Sequence, residues 1–277
     1  MKRQWIISKQ DHQSRIDDFL FRQGISKKAL KSIKMKGEIL VDYQHRTVRY
    51  LLNAGETLMI HYPPEENTMQ PYDFPLKIVY EDDYLLVIDK PSGLPSIPTR
   101  THPFCTLANA LTFYYQQIGL TSTIHLVNRL DKETSGLMIV AKYRYIHDRM
   151  MKDLKHIDRR YRAHVRGIVT SDGSIRLPIY KQDKQMKRMI DERGKEACTH
   201  YHVRRIENGC SLVEMKLETG RTHQIRVHMA SIGHPLIGDS LYGDGLGYFD
   251  LDSYQVGFIH PITKQCIVII KKAAHDE

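Results

Sequence analysis

Along residues 13–62 the apolar positions fall first at helical and then at strand spacing. In "SRIDDFLFRQGI", Ile16, Phe19 and Leu20 share one helical face, with Ser14 as the expected N-cap. "SKKALKSIKMKG" repeats the pattern: Ser26 caps it, Leu30 and Ile33 face inward, and Gly37 closes it. "EILVDYQHRTVRYLLNAGETLMIHYP" then predicts short strands with a turn at Asn53-Ala54-Gly55. The stretch from Pro63 to Pro75 is polar and proline-rich with no period, and reads as a linker. Beyond it, Leu76–Tyr80 and Tyr84–Asp89 are strand-like, followed by a loop punctuated by Pro91, Gly93, Pro95 and Pro98. "CTLANALTFYYQQIG" has helical periodicity, "LMIVAK" is strand-like, and "RYIHDRMMKDLKHIDR" predicts a basic amphipathic helix. "RYRAHVRGIV", "ACTHYHVRRIE" and "SLVEMKLETG" alternate as half-buried antiparallel strands do. "THQIRVHMASIG" predicts a helix with Thr222 as N-cap and Gly233 at its end, and "YQVGFIHPITKQCIVII" a hairpin. Strands with irregularly interspersed helices predict an α+β fold with a mixed, mainly antiparallel sheet, preceded by a small N-terminal unit. The expected boundaries are 1–64, a linker at 65–75, and 76–277.

Composition narrows the class. The 277 residues are 41% hydrophobic and 26% charged, which suits a globular chain with a sizeable core. No apolar run nears the roughly 20 residues of a membrane helix, and the apolar patch in "MKRQWIISKQDHQ" is too short for a signal peptide. Four scattered cysteines without a C-x-x-C pair fit a reducing cytoplasm. The net charge of +9 is patchy: residues 1–64 carry 12 Lys/Arg against 6 Asp/Glu, and residues 142–162 carry 8 against 3. Such patches favour a polyanionic partner, nucleic acid first. Lys27, Lys28, Lys31 and Lys34 form a basic flank on the second predicted helix, as a phosphate-contacting face or a merely solvated one would.

Three stretches carry candidate chemistry. In "VNRLDKETSGLMIVAK", Asp131 sits before a Thr134-Ser135-Gly136 turn with no Ser, His or Cys beside it to assist. A carboxylate there serves as nucleophile, base or cation ligand, or simply as a turn residue paired with Arg129 or Lys132. In "ETGRTHQIRVHMASIGHPLIGDSLYG", Arg226 falls in the first turns of a helix, where a guanidinium keeps a neighbouring carboxylate ionised or makes a surface ion pair. His223, His228 and His234 are five and six residues apart, which is not the spacing of a helical zinc pair, so no metal is expected. In "RRYRAHVRG", Tyr161 lies among Arg159, Arg160 and Arg162, an arrangement that stacks on a base while cations hold phosphates, or an ordinary strand.

"RLDKETSG", with "KPSGLP" before it and "GRTHQIRVHMASIGHPLIGDSLYG" after it, resembles the RluA family of RNA pseudouridine synthases. The resemblance covers residues 76 to about 270 in the family's order. The helices and hairpins before it resemble the small RNA-binding domain named after ribosomal protein S-four. One position departs: the family's usual "HRLD" reads "NRLD", with Asn128 in the histidine's place. What the resemblance implies is a cofactor- and metal-free isomerisation of uridine to pseudouridine in RNA. Asp131 is then the nucleophile. Arg129 fills the gap left by the flipped nucleotide, Tyr161 stacks on uracil and serves as a base toward carbon five, and Arg226 pairs with Asp131 and keeps it ionised. Ile225 and Leu236 form an apolar wall. The implied partner is RNA, with large-subunit ribosomal RNA ahead of transfer RNA and a non-catalytic RNA-binding protein as the other reading; the chain is expected to be a cytoplasmic monomer.

Overall fold

The computed structural model describes residues 1–183 and 185–271. Its N-terminal unit is a four-stranded antiparallel sheet: β1 (Lys2–Ile6), β2 (Glu38–Val41), β3 (Gln44–His45) and β4 (Thr57–His61), in the order β1-β4-β2-β3. Helices α1 (Ile16–Arg22) and α2 (Lys27–Lys36) cover one face. Ser26 caps α2 by accepting from the Ala29 amide at 3.2 Å, and Leu30 and Ile33 are buried. Gly37 ends α2 where a Cβ would lie 2.3 Å from the His61 carbonyl oxygen, so the helix-to-strand turn excludes any side chain. The predicted cap of α1 differs. Arg15 occupies the N-cap, because the Ser14 hydroxyl accepts from Arg22 Nη2 at 3.0 Å instead.

The remainder is built on a ten-stranded sheet. Its strands are β5 (Ile78–Glu81), β6 (Leu85–Lys90), β7 (His125–Leu126), β8 (Ser135–Ala141), β9 (Asp158–Arg166), β10 (Gly173–Arg176), β13 (Cys198–Glu207), β14 (Cys210–Leu217), β15 (Asp252–Ile259) and β16 (Cys266–Ile270). The main order is β10-β13-β14-β9-β15-β8-β6-β5, with β16 on β15 and β7 on β8. Strands β11 (Ile179–Lys181) and β12 (Arg188–Ile190) form a separate hairpin. The β15–β8 pairing is parallel and the other strand pairs are antiparallel, giving the mixed sheet that the alternating patterns predict. Gly136 makes the parallel crossing possible: it has φ +108°, and a Cβ there would lie 2.3 Å from the Ser253 carbonyl oxygen.

Strands β6 and β8 are buried on both faces, which is why residues 85–88 and 137–141 are unbroken apolar runs without alternation. Leu85, Val87, Leu137 and Ile139 join a core shared with the N-terminal unit and helix α4 (Arg144–Lys152). Leu86, Ile88, Met138 and Val140 face a second core under α3 (Leu107–Gln117), which Thr106 and Asn109 close with a capping box. Residues 62–77 form no regular element, yet they are fastened to the larger sheet and α3. Glu65 accepts from the Arg144 amide at 3.0 Å, and the Gln70 carbonyl accepts from Asn109 Nδ2 at 2.7 Å. The stretch expected to be a linker, 65–75, is thus bonded to α4 through Glu65 and to α3 through Gln70.

Candidate active site

The loop holding Asp131 runs from Val127 into β8, and its backbone is anchored by side chains from two directions. Asn128 Oδ1 accepts from the Ile139 amide at 2.8 Å, and its Nδ2 donates to the Leu137 carbonyl at 3.5 Å. The amide side chain thereby serves as an extra rung of the β8 ladder. This is the work found for the residue that departs from the family's histidine. From the other side comes Lys90, a lysine with only 1% of its surface exposed. Its Nζ donates to the carbonyls of Pro91 (2.8 Å), Leu94 (2.9 Å) and Lys132 (3.1 Å). Ser96 Oγ donates to the Leu130 carbonyl at 2.5 Å and Ser92 Oγ to that of Glu133 at 2.6 Å. The "KPSGLP" loop is therefore a clamp on the backbone either side of Asp131.

Burial lowers the Lys90 ammonium to about 8, against the pull of Glu133 and Asp131. Lys90→Met is expected to strand three carbonyls, at roughly 1–3 kcal/mol for each left unsatisfied. Through loss of loop placement it should cut turnover about 100-fold. A sign follows from the same titration. Between about 8 and the ordinary 10.5 the unfolded chain binds more protons than the folded one. Wild type should therefore gain stability relative to Lys90→Met as pH rises through that window, which denaturant unfolding at a series of pH values checks.

Asp131 opens into a cleft of about 580 Å³. Among the described residues the cleft is lined by five cationic side chains, Arg129, Lys132, Arg159, Arg221 and Arg226, and by a single acid, Asp131 itself. Among the described residues the Asp131 carboxylate has no hydrogen-bond or ion-pair partner, and its backbone carbonyl accepts from Thr134 N at 3.2 Å. Tyr161 reaches the cleft from β9, 5% exposed and between β14 and β15. Burial pushes its hydroxyl up and the Asp131 charge adds to this, while Arg159 pulls the other way. At neutral pH it is a phenol.

Helix α5 (Gln224–Ser231) supplies Ile225 and Arg226. Its predicted cap differs. His223, at φ 57°, is the N-cap residue in place of Thr222 and makes no side-chain cap. Gln224 locks the turn instead, accepting from Arg221 N at 2.9 Å and donating to the Cys198 carbonyl at 2.9 Å. Arg226 is also engaged differently from the expectation. Its Nε and Nη2 bond Asp239 Oδ2 and Oδ1 at 2.8 and 2.7 Å, a bidentate pair with both side chains at most 9% exposed. Burial alone would raise the Asp239 carboxyl, but the bonds and charge of Arg226 hold it below its ordinary value. Asp239 also accepts from the amides of Leu241 and Tyr242. Arg226 thus faces Asp131 as a charge across the cleft wall rather than as its hydrogen-bond partner. The sequence signal for Asp239 lay within "GDSLYG", where no spacing rule marks it.

Leu236 packs behind the site: it is 1% exposed, bridges to Val165 and belongs to the core that contains Tyr161 and Ile225, but does not line the cleft. Leu217 and Leu251 line it instead, and neither stood out in the sequence. Lys27, Lys28, Lys31 and Lys34 are all exposed on α2 and none lines the cleft. Of the histidines, His228 is spent on Thr199 and the Leu177 carbonyl, and His234 on the Arg166 carbonyl. The described residues that could hold a metal are Cys198, His200 and Glu218, whose donor atoms lie within 4.8 Å of one another. Glu218 Oε1 is already bonded to His200 at 2.6 Å and faces Arg176 at 3.3 Å, a cation that opposes a second one.

A ten-stranded mixed sheet presents an isolated carboxylate in a basic cleft suited to a polyanionic ligand. Residues 84–231, which contain Asp131, Tyr161 and Arg226, match the family model of RNA pseudouridylate synthases. The chain is 40% identical over 260 residues to a Bacillus subtilis protein named uncharacterized RNA pseudouridine synthase YjbO, covering 90% of this chain and 92% of that one. It is 39% identical over 214 residues to ribosomal large subunit pseudouridine synthase D of Xanthomonas campestris, covering 76% of this chain and 65% of the relative. Among solved structures it is similar to human RNA pseudouridylate synthase domain containing 1, with a TM-score of 0.60 at 24% identity over 74% of this chain and 86% of the other, a likeness of fold. The chain belongs to the RNA pseudouridine synthases, of the RluA type, and is an isomerase acting on RNA uridine.

Proposed function

We propose that this enzyme converts uridine to pseudouridine in large-subunit ribosomal RNA with Asp131 as nucleophile. The observation that carries the reading is the isolation of the Asp131 carboxylate, the single acid among the described residues of a cleft that also carries five cationic side chains. A carboxylate attacks, is held as an adduct and leaves again, dividing one hard step into two. The N1–C1′ bond breaks, a C5–C1′ bond forms, the C5 hydrogen passes to solvent and N1 gains a proton. The target base is reached only when flipped from its stack. Arg129, exposed at the cleft and permanently charged, is suited to the vacated gap. Because its phenol is held protonated, Tyr161 is assigned stacking on uracil ahead of proton abstraction. Asp239 holds Arg226 in the wall, where its charge faces Asp131 across the cleft.

The substrate reading is supported by relatives in Xanthomonas and Pseudomonas that carry the ribosomal large subunit in their names. Residues 1–64 are proposed as an RNA-binding domain whose Lys27, Lys28, Lys31 and Lys34 touch phosphates without reading sequence. The test is release of tritium from transcripts carrying 5-tritiated uridine, with chelator throughout. Release from large-subunit ribosomal transcripts and not from transfer RNA is expected. Release from transfer RNA alone would overturn the substrate, and release abolished by chelator would overturn the metal-free mechanism.

A further inference from the structure

Strand β9 carries four arginines, and three of them are paired. Arg160 bonds Asp158 at 2.9 Å, Arg162 bonds Asp252 at 3.2 Å, and Arg166 bonds Asp244 at 3.0 Å. These three lie on the half-exposed face of the strand, where an ion pair contributes little. Arg159 is on the other face, in line with Tyr161, Ala163 and Val165, and only 5% of its surface is exposed. Among the described residues it is the buried arginine that has no carboxylate partner. Its Nε meets no hydrogen-bond acceptor, and among the described residues no carboxylate oxygen lies within 4.0 Å of its guanidinium. A buried cation left unpaired is a large cost to a fold. Arg159 nevertheless lines the cleft together with Asp131 and Tyr161. The chain also makes room for it: a Cβ on Gly220 would lie 2.9 Å from Arg159 Nη1.

We infer that Arg159 is a preformed phosphate-binding site, held uncompensated in the apo cleft so that a phosphodiester of the RNA substrate completes it. A planar guanidinium offers paired donors that match two phosphate oxygens, and the substrate bears one such anion per nucleotide. The cleft, at about 580 Å³, has room for a sugar-phosphate beside the base. Gly220 is then a spacing residue for that site, since any larger side chain there displaces the guanidinium. The inference rests on RNA being the ligand of this cleft, so its test has one arm that needs no RNA.

In the first arm, the thermal midpoint is followed as inorganic phosphate replaces chloride at constant ionic strength, for wild type, Arg159→Met and Arg159→Lys. Wild type is expected to rise with phosphate, Arg159→Lys less, and Arg159→Met no more than the general salt effect. In chloride Arg159→Met should be as stable as wild type or more so, because it removes a buried unpaired charge. In the second arm, binding to unmodified large-subunit ribosomal transcripts is measured against salt, with phosphate-ethylation interference. Arg159→Met should bind about 10- to 100-fold more weakly. Its log-log salt slope should be shallower by about 0.7, and one phosphate should vanish from the interference pattern. Equal phosphate responses of wild type and Arg159→Met, or a marked loss of stability in chloride, would overturn the site in favour of a structural role. A phosphate response confined to wild type, with no specific binding of these transcripts, would uphold the site and overturn only the choice of RNA.

Discussion

Asp131→Asn is expected to lower tritium release by about 1,000-fold or more while leaving the fold intact. The change keeps the shape of the side chain and removes the electron pair that attacks. Little else should move, because the anchoring bonds of this loop run through backbone carbonyls and through Lys90, Asn128 and Ser96 rather than through the Asp131 carboxylate. RNA affinity should rise slightly, since the substitution removes the single acid found among the described lining residues, which include five cations. Measuring tritium release, filter binding and thermal midpoint on one preparation separates these effects. Retention of a tenth of wild-type release by correctly folded Asp131→Asn would sink the nucleophile assignment.

Asp239→Ala carries the larger expected effect on stability. Arg226 would remain buried without its bidentate partner, a loss of about 3–5 kcal/mol. The amides of Leu241 and Tyr242 would lose their acceptor as well. Turnover should collapse with it, because Arg226 is then free to swing toward Asp131 or out of the wall. The double variant Arg226→Met with Asp239→Leu should recover most of the stability and none of the activity, which distinguishes a positioning pair from a purely structural one. The pH dependence has a definite sign. Arg226 holds the Asp239 carboxyl below its ordinary value in the folded chain. Its contribution is therefore fully present above the unfolded value of about 3.9 and is lost as pH falls through the folded value. Denaturant unfolding from pH 6 down to pH 2 should show an acid limb that Asp239→Ala lacks; an unchanged limb would mean that other carboxylates govern acid unfolding.

Local rules were enough wherever a residue's neighbours in sequence are its neighbours in space. Alternation marked β9 and β14 because each is covered on one face, and helical spacing with Ser26 marked α2 because capping spans three residues. The strand–loop patterns together with the motifs also singled out Asp131, Tyr161, Ile225 and Arg226, which converge on one cleft. The edges of β6 and β8 were less legible, since strands buried on both faces lose their period of two.

The sequence by itself therefore determined the class of fold and most of its longer elements, because periodicity is set over a few residues, and its family motifs named several of the side chains that line the cleft. Only the tertiary structure decided who pairs with whom. Arg226 belongs to Asp239, 13 residues away, and Lys90 to the carbonyl of Lys132, 42 residues away, while Arg159 belongs to no acid among the described residues. No pattern along the chain encodes such choices, because ion pairing and desolvation depend on which backbones the sheet brings together and on how much water is left between them.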